Sequence, residues 1–450
     1  MTVLGLGQQA HDDDLKALLA RELERVRSRS LGLTTDVLEV DELLAQHSRL
    51  MSPLVWDLAH VGNYEELWLV RAAAGIEAMR PELDDIYDAF EHPRAERPML
   101  PLLQPSEAQS YISTVRSKVL DSLDRMSLDP ANPLLGKGFV YSMVVQHEHM
   151  HDETMLATHQ LRRGAAVLHD VPPAAAPTDA AALPAEVLVP AGTFTMGTSD
   201  DGWAYDNERP AYDLHLPAFY IDTAPVANRA YLSFVEAGGY DDPRWWSTAG
   251  WAWRTESGKR KPAFWLREGG EWLRRRFGRV EPLPPDQPVQ HVCFHEAAAY
   301  ARWAGRRLPT EPEWEKAASW DPVARHKRRY PWGDDDPTPA HANLGQRHHQ
   351  PAPVGSFPAG ASAYGARQLV GDVWEWTSSG FERYPGFRPF PYPEYSEVFF
   401  GGDYRVLRGG SWATDRTAVR TTFRNWDHPI RRQIFAGFRC ARDAAPGEGA

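Results

Sequence analysis

The sequence predicts an α+β protein in which an N-terminal four-helix bundle precedes a loop-rich domain of short strands and helices. Only two of the 17 tryptophans lie before residue 200, so the two halves of the chain differ in composition. Apolar residues recur at three- and four-residue steps in the first half, whereas the second half has short β-prone runs separated by Gly, Pro and Asp. An Ala- and Pro-rich stretch between the halves lacks helical periodicity and is typical of a linker.

The predicted domains follow these shifts in composition. We expect a bundle over residues 1–170, a linker over 171–185 and a second domain over 186–450. Four segments with helical periodicity make the bundle, which is their simplest packing: 13–30, 39–74, 106–127 and 136–163.

The second domain is predicted from shorter elements. Strands are expected within 187–197 and 404–412, and helices near 226–237 and 295–304. The many aromatic side chains should pack between the loops and order them.

The composition excludes several classes of protein. With 42% hydrophobic residues among 450, the chain can build large cores, which excludes disorder as its main state. The net charge of −12 and the lack of a basic run argue against a nucleic acid or an anionic membrane as partner. Because the N-terminus has no signal-like region and no long apolar run follows, we expect a cytoplasmic protein. Cys293 and Cys440 are the two cysteines, so a metal would need His or carboxylate ligands.

The strongest local chemistry lies in the last predicted helix of the bundle. Val140, Val144, His147 and His151 continue one apolar stripe, so two imidazoles face the interior. They are four residues apart, which is close enough to chelate one metal ion.

A third imidazole belongs to the second predicted helix. His60 shares the apolar face of that helix with Trp56 and Tyr64, and two helices of a bundle can bring His60, His147 and His151 to one point. The alternative is that the three are hydrogen-bonded core histidines. Spacing alone does not separate Zn(II), Fe(II) and Ni(II) as the ion.

The same helix supports a competing interpretation. His147, Glu148 and His151 spell H-E-x-x-H, the zinc-peptidase motif in which the glutamate is the general base. Ala157 stands where the longer form of the motif has its third histidine, and no downstream glutamate motif follows. A zinc hydrolase remains the alternative.

The second half resembles the formylglycine-generating-enzyme-like (sulfatase-modifying factor) fold, a C-type-lectin-like α+β domain. Eight motifs carry the resemblance, at residues 196–197, 207–210, 225–228, 303–318, 330–333, 371–376, 408–412 and 437–439. Most of their residues should be scaffold, with Trp in the core and Arg and Glu in buried ion pairs. The cysteine pair of formylglycine-generating enzymes is not expected, because Phe435 stands near the place of the partner of Cys440.

Together, a DinB-like bundle with three histidines and this second domain resemble the sulfoxide synthases of ergothioneine biosynthesis. Further similar stretches are YDAFEHPRAER, PGFRPFPYPEYS and FRNWDHPIRRQIFAGFR. The resemblance implies that O2 drives C–S bond formation between hercynine and γ-glutamylcysteine, giving the cysteine S-oxide. It also implies Fe(II) as the metal, held by His60, His147 and His151, with O2 as co-substrate.

The resemblance further implies a catalytic tyrosine and a thiol-binding pair of arginines. Tyr392 would donate a hydrogen bond or a proton during the oxygen chemistry. Arg94 and Arg97 are three residues apart and suit the carboxylates of γ-glutamylcysteine. Taken without the family, the two arginines read as a basic surface pair.

The remaining substrate-binding residues implied by the resemblance lie near the C-terminus. Asp427 and Arg431 would complete the γ-glutamyl site, since their charges suit an amino-acid zwitterion. Asn425, Trp426 and Tyr395 would bind hercynine, with Trp426 offering a π face to its trimethylammonium group. Ordinary core packing is the alternative for Trp426.

The sequence leaves the thiol donor open, because free cysteine or a selenium analogue differs only at groups that these charged residues would contact. Met150 stands where related proteins often carry Gln, so a polar contact to hercynine could be missing. A non-catalytic binding module built on the second domain is the alternative from a different class. The oligomeric state and a structural Ca(II) also stay open.

Overall fold

The computed structural model describes residues 3–169 and 171–449, with side chains described from residue 12 onward. The chain divides into two compact units, Met1–His169 with Asp201–Trp203, and Asp170–Asp200 with Ala204–Ala450. Residues 1, 170 and 450, which bound the predicted domains, lie outside the described residues. The exact domain boundaries therefore stay a prediction.

The first unit is the predicted helical bundle. Its long helices are α1 (Val3–Gly32), α3 (Leu54–Glu65, continued as a π-helix over Glu66–Ala73), α5 (Pro105–Arg125) and α6 (Phe139–Leu161), with α2 (Val40–Leu44) and α4 (Asp84–Tyr87) in the connections. All twelve residues of α3 are buried, because this helix packs against both α5 and α6. None of the described helices is long and apolar enough to cross a membrane.

Two predicted helix boundaries in the bundle are wrong. The segment 39–74 is not one helix, because Pro53 caps the start of α3 and disfavours helical geometry at the residue before it. The last helix begins at Phe139 rather than at 136, because Lys137 (φ 55°) and Gly138 (φ 70°) are left-handed. A side chain at Gly138 would also collide with Leu19.

The second unit is the predicted loop-rich domain. Its helices are α7 (Asn228–Glu236), α8 (Thr248–Ser257), α9 (Phe294–Trp303) and α10 (Glu311–Ser319). Its strands are β1 (Glu186–Val189), β2 (Gly192–Met196), β3 (Tyr212–Leu216), β4 (Phe219–Asp222), β5 (Trp265–Glu268), β6 (Glu271–Arg276), β7 (Arg279–Pro282), β8 (Trp320–Asp321), β9 (His326–Lys327), β10 (Trp374–Gly380), β11 (Arg405–Arg408), β12 (Asn425–Asp427), β13 (Ala436–Gly437) and β14 (Ala441–Asp443).

The strands form small sheets rather than one large one. The orders are β12-β11-β10-β13, β1-β4-β14 and β5-β6-β7, with β2-β3 and β8-β9 as pairs. In the first of these sheets β12 pairs antiparallel with β11, so that Trp426 lies opposite Val406. Strand β12 is at the edge of its sheet, and it carries Asn425, Trp426 and Asp427, which are predicted to bind substrate.

The motifs of the second unit are scaffold, as predicted. Trp314, Trp376 and Trp412 are fully buried. The Arg408 guanidinium donates to Glu311 at 2.8 Å, and Arg439 donates to Glu375 at 2.7 Å. These pairs hold α10, β10 and β11 together without access to water.

Sequence analysis predicted α7 and α9 in this unit but missed α8 and α10. Helix α10 carries its own signal, since Thr310 and Glu313 form a capping box with Pro312 in the first turn. The predicted linker region contains a 3-10 turn at Thr178–Ala182, where Asp179 pairs with Arg367 at 2.6 Å.

Candidate metal centre

Three imidazoles meet inside the bundle, as their spacing predicts. His60 comes from α3, and His147 and His151 come from successive turns of α6. The Nε2 atoms of His60 and His147 are 3.3 Å apart, and one nitrogen from each of the three rings lies within 4.8 Å of the other two. His60 is buried, whereas His147 and His151 are partly exposed.

Hydrogen bonds on the far side of two rings orient them. The Nδ1 of His60 donates to the main-chain carbonyl of Tyr87 at 2.7 Å, because a carbonyl oxygen can only accept. The Nδ1 of His151 lies 2.9 Å from a carboxylate oxygen of the buried Asp57 and donates to it. Both rings therefore keep Nε2 free as a ligand atom.

Aromatic rings hold the cluster from the sides. Trp56 stacks on His60 with ring centroids 4.7 Å apart, and Tyr64 stacks on His147 at 3.8 Å. Burial, reinforced by the neighbouring imidazole of His151, lowers the pKa of His60 and of His147 well below 6.5. Both rings are thus neutral near pH 7, which is the form that binds metals.

The cluster fits a metal ion better than it fits a hydrogen-bonded core. A proton between His60 and His147 would satisfy only the Nε2 atoms of those two rings and leave His151 without a role in the cluster. The Nδ1 of His147 has no hydrogen-bond partner in the described part of the chain, although it is buried. Three neutral nitrogen donors suit a divalent transition metal and leave further coordination positions open.

Glu148 does not face this cluster. Its carboxylate is fully buried between the guanidiniums of Arg27 and Arg116, at 2.7 and 3.2 Å. Burial alone would raise the pKa of Glu148, but the two cations lower it below its usual value. A carboxylate held in this way cannot act as the general base of a zinc peptidase, so H-E-x-x-H is here a coincidence of spacing.

The two arginines predicted to bind the thiol have different surroundings. Arg94 is partly exposed and donates to the main-chain carbonyl of Leu50 at 3.2 Å. Arg97 is buried, and its guanidinium lies 3.5 Å above the ring of Trp56. Three of its nitrogens donate to protein oxygens, the main-chain carbonyls of His92 and Ala89 and the Ser52 hydroxyl. The roles assigned to both arginines stay predictions.

The predicted catalytic tyrosine lies on a well-anchored loop of the second unit. Tyr392 precedes the 3-10 turn Pro393–Tyr395 and is partly exposed. The ring of Tyr395 stacks on the buried Tyr205 at 4.3 Å. The next residue, Ser396, is fully buried and hydrogen-bonds to Asp206 at 2.5 Å. The loop is therefore fixed close to Tyr392, whose role stays a prediction.

The other predicted binding residues of this unit lie on and after β12. Trp426 stacks on Phe381 at 4.1 Å, and the ring of Tyr395 lies 6.3 Å away at a right angle. Asp427 and Arg431 pair with each other at 3.4 Å, and both are partly exposed. The Asn425 side chain accepts from its neighbour's main-chain N–H at 2.8 Å. The structure brings these residues into one small region, and their roles stay predictions.

Asp57 is a neighbour of the histidine cluster that sequence analysis missed. It stands in the apolar run LVWDLAHVG, three residues before His60. A single acidic residue on the buried face of such a helix was the available signal, since an unpaired carboxylate is rarely buried. Its partner His151 is 94 residues away, so the pairing itself depends on the fold.

Two protein families match the chain. The DinB superfamily matches residues 22–155, and the sulfatase-modifying factor enzyme 1-like domain matches residues 172–444. The first match contains all three histidines of the cluster.

Two of the relatives are similar to this chain over nearly its whole length. A hercynine oxygenase of Mycolicibacterium thermoresistibile is 52% identical over 438 residues, which is 95% of each chain. A hercynine oxygenase of Mycolicibacterium smegmatis is also 52% identical, over 94% of this chain and 98% of that protein. A formylglycine-generating enzyme of Streptomyces coelicolor is 35% identical and covers 62% of this chain and 97% of its own. The similarity to the two hercynine oxygenases therefore extends across both units.

Proposed function

Because the chain belongs to the hercynine oxygenase family, we propose that it joins hercynine and γ-glutamylcysteine with O2 to give γ-glutamyl-hercynylcysteine S-oxide. The protein is an oxidoreductase of ergothioneine biosynthesis. The observation that carries the proposal is the convergence of three imidazoles from α3 and α6. A metal-dependent oxygenase needs such a centre, with nitrogen donors from the protein and open positions for reactants.

Fe(II) is the metal that this proposal requires, and His60, His147 and His151 would hold it. When bound, Fe(II) would supply the redox chemistry that passes electrons from the two substrates to O2, and open coordination positions that hold the reactants close together. The donor set is all-nitrogen and uncharged, which suits a redox-active first-row ion. O2 is then a co-substrate of the reaction.

The protein's own residues bind and orient the substrates. Arg94 is the better placed of the two arginines to bind a carboxylate of the thiol donor, because its side chain is partly exposed. Asp427 and Arg431 recognise the amino-acid zwitterion after their own ion pair opens.

Hercynine binding is assigned to Asn425, Trp426 and Tyr395. The Trp426 ring offers a π face to the trimethylammonium group, which would contribute about 0.5–2 kcal/mol according to how far the site excludes water. Tyr392 holds the proton that is donated during the oxygen chemistry, from the phenol oxygen of a partly exposed side chain.

The zinc-hydrolase alternative loses its support at Glu148. Such an enzyme needs a carboxylate within hydrogen-bond reach of a metal-bound water. Here that carboxylate is paired with two buried arginines.

An oxygen-dependence assay tests the proposed function. Purified protein loaded with Fe(II) is mixed with hercynine and γ-glutamylcysteine, with and without O2, and products are identified by mass spectrometry. We expect the sulfoxide with O2 and none under anaerobic conditions. Hydrolysis products that form equally without O2, or no reaction at all, would contradict the proposal in favour of a hydrolase or a binding module.

The same assay addresses the identity of the thiol donor. In one vessel γ-glutamylcysteine competes with cysteine, and the proposal predicts that γ-glutamylcysteine is consumed first because more charged groups contact it.

We also propose a cytoplasmic reaction, which agrees with two cysteines, Cys293 and Cys440, that are buried and free.

A further inference from the structure

The three histidines of the cluster differ in what their outer nitrogens contact. For His60 the acceptor is the neutral carbonyl of Tyr87, and for His147 the described residues provide no acceptor. His151 alone donates to an anion, the carboxylate of Asp57, at 2.9 Å. Among the described residues, Asp57 is therefore the negative group that contacts a histidine of the cluster.

The position of Asp57 is costly for the fold. Its side chain is 1% exposed, and its second oxygen, Oδ2, is buried with no hydrogen-bond partner among the described residues. A buried carboxylate with an unsatisfied oxygen lowers the stability of a protein. Packing alone does not explain a carboxylate at this position, because an apolar residue would fill the same place at lower cost.

The neighbouring residue Trp56 contacts His60, the histidine of the cluster that α3 itself provides. Its ring stacks on His60 and lies under the Arg97 guanidinium. Successive residues of α3 thus contact two different histidines, Trp56 on His60 and Asp57 on His151. This places Asp57 in the support of the cluster rather than in the general core.

We propose that Asp57 is a positioning residue of the metal centre, which fixes the tautomer of His151 and adds negative charge to an otherwise neutral set of three imidazoles. The carboxylate keeps the proton on Nδ1, so that Nε2 points to the metal with increased basicity. This inference rests on the proposed metal site but not on the proposed substrates.

The test is the affinity of the full-length protein for Fe(II), measured without O2 by competition with a coloured chelator. Asp57→Asn keeps the size of the side chain and an oxygen acceptor but removes the charge. The matched control is Asp152→Asn, because Asp152 is also buried on a helix and also bonds a histidine, His149, at 3.1 Å, outside the cluster. We expect Asp57→Asn to weaken Fe(II) binding by about 10–100-fold and Asp152→Asn to change it by less than about twofold.

Two results would overturn the inference. One is Fe(II) binding by Asp57→Asn within twofold of the parent, and the other is an equal loss in both variants. If Asp57→Asn does not fold, NMR of the parent protein with 15N-labelled histidine and bound Zn(II) decides. The inference expects a protonated, hydrogen-bonded Nδ1 on His151 and fails if that ring binds Zn(II) through Nδ1.

Because no turnover is measured, the outcome is independent of the substrate assignment. Weakened Fe(II) binding together with absent sulfoxide formation by the parent protein would support Asp57 and contradict the proposed reaction. Sulfoxide formation by the parent protein together with unchanged Fe(II) affinity in Asp57→Asn would support the proposed reaction and contradict the role of Asp57.

Discussion

Tyr392 and Tyr395 lie at the two ends of one short turn but have different surroundings. The Tyr395 ring is held by its stack on Tyr205, whereas Tyr392 contacts Tyr395 edge-on with ring centroids 6.1 Å apart. This difference makes the pair a matched test of which phenol takes part in the chemistry.

We predict that Tyr392→Phe keeps Fe(II) and thiol binding but diverts oxidation to the sulfur of the thiol donor alone. The reason is that the proton source is lost while the aromatic ring remains. The ratio of sulfoxide to oxidised thiol, measured by mass spectrometry, checks it. Tyr395→Phe is the control: it keeps the ring assigned to hercynine binding, so it should leave that ratio unchanged whatever its effect on the KM for hercynine. An unaltered ratio in Tyr392→Phe would reject the proposed role.

Arg94 and Arg97 give a second pair of contrasting residues. Arg94→Ala should raise the KM for γ-glutamylcysteine about 10-fold or more and change the KM for hercynine little, because one charge-assisted hydrogen bond is lost. Steady-state kinetics with each substrate varied in turn measures both values. Equal increases for the two substrates would indicate a general defect of the fold instead.

Arg97 should behave differently from Arg94. Its guanidinium donates to three oxygens and covers Trp56, so Arg97→Lys should mainly lower the unfolding temperature. If the thiol KM rises as much as in Arg94→Ala while the unfolding temperature is unchanged, Arg97 binds substrate directly.

The convergence of the three histidines was predictable from the sequence because polar rings interrupt an apolar stripe at helical spacing. That argument depends only on local periodicity, and it holds for His60, His147 and His151. The contacts of Asp57 and Arg97 were not predictable, since each joins residues that are far apart in the chain. Periodicity shows which face a residue occupies but not which side chain lies opposite.

At the level of elements, each of the four long helices of the bundle contributes one member to a buried ring of charged side chains. Arg27 of α1 and Arg116 of α5 alternate with Glu65 of α3 and Glu148 of α6. Each glutamate pairs with both arginines at 2.6–3.2 Å. The four formal charges of the ring cancel. Because a shift of one helix would separate buried ion pairs, the ring resists such a shift. Because Glu148 directly follows His147 in the chain, the ring also fixes the part of α6 that carries His147.

We predict that Glu65→Gln lowers the free energy of unfolding by about 3–5 kcal/mol, because it leaves two buried guanidiniums without full compensation. Chemical denaturation followed by circular dichroism measures the change. Asp121→Asn is the control, since Asp121 forms an exposed pair with Arg125 at 3.9 Å, and it should cost less than about 1 kcal/mol. Similar small losses in both variants would show that the ring does not stabilise the bundle.

The elements themselves were predicted better than their ends. Helical periodicity located α1, α3, α5 and α6, whereas the break before α3 depends on Pro53 and the start of α6 on two left-handed residues. In the second unit the capping box of α10 was present in the sequence, but the motif that contains it was interpreted only as a family signature. Short helices between loops lack the length that makes periodicity visible.

For the whole molecule, the order of motifs along the chain predicted more than composition did. Composition indicated large cores and two unlike halves, while the eight motifs of residues 187–442 predicted the fold of the second unit. Both units bury Arg–Glu pairs, which an overall charged fraction of 24% does not reveal. Burial of charge depends on partners that only the fold brings together.

The stability of the whole protein should depend on pH through buried histidine outside the metal centre. His291 of the second unit donates to the main-chain carbonyl of Arg432 at 3.1 Å and lies against Phe264 and Phe435. Burial, with added repulsion from Arg432, lowers its pKa to about 3. Between about pH 6.5 and pH 3 the unfolded chain binds a proton at this residue and the folded protein does not.

We therefore predict that the parent loses stability relative to His291→Asn as the pH falls from 6 to 4, by about 1.4 kcal/mol per pH unit. Asparagine tolerates the positive φ of 63° at this position and can donate to the same carbonyl, but it does not titrate. Burial also raises the pKa of Asp222 and Asp372 to about 6, which stabilises the folded state as the pH falls. Those contributions are common to both proteins and cancel in the difference of their free energies of unfolding.

His326→Asn, at an exposed position of β9, is the control, and its free energy of unfolding plotted against pH should run parallel to that of the parent. A parallel curve for His291→Asn as well would mean that this imidazole is protonated in the folded protein.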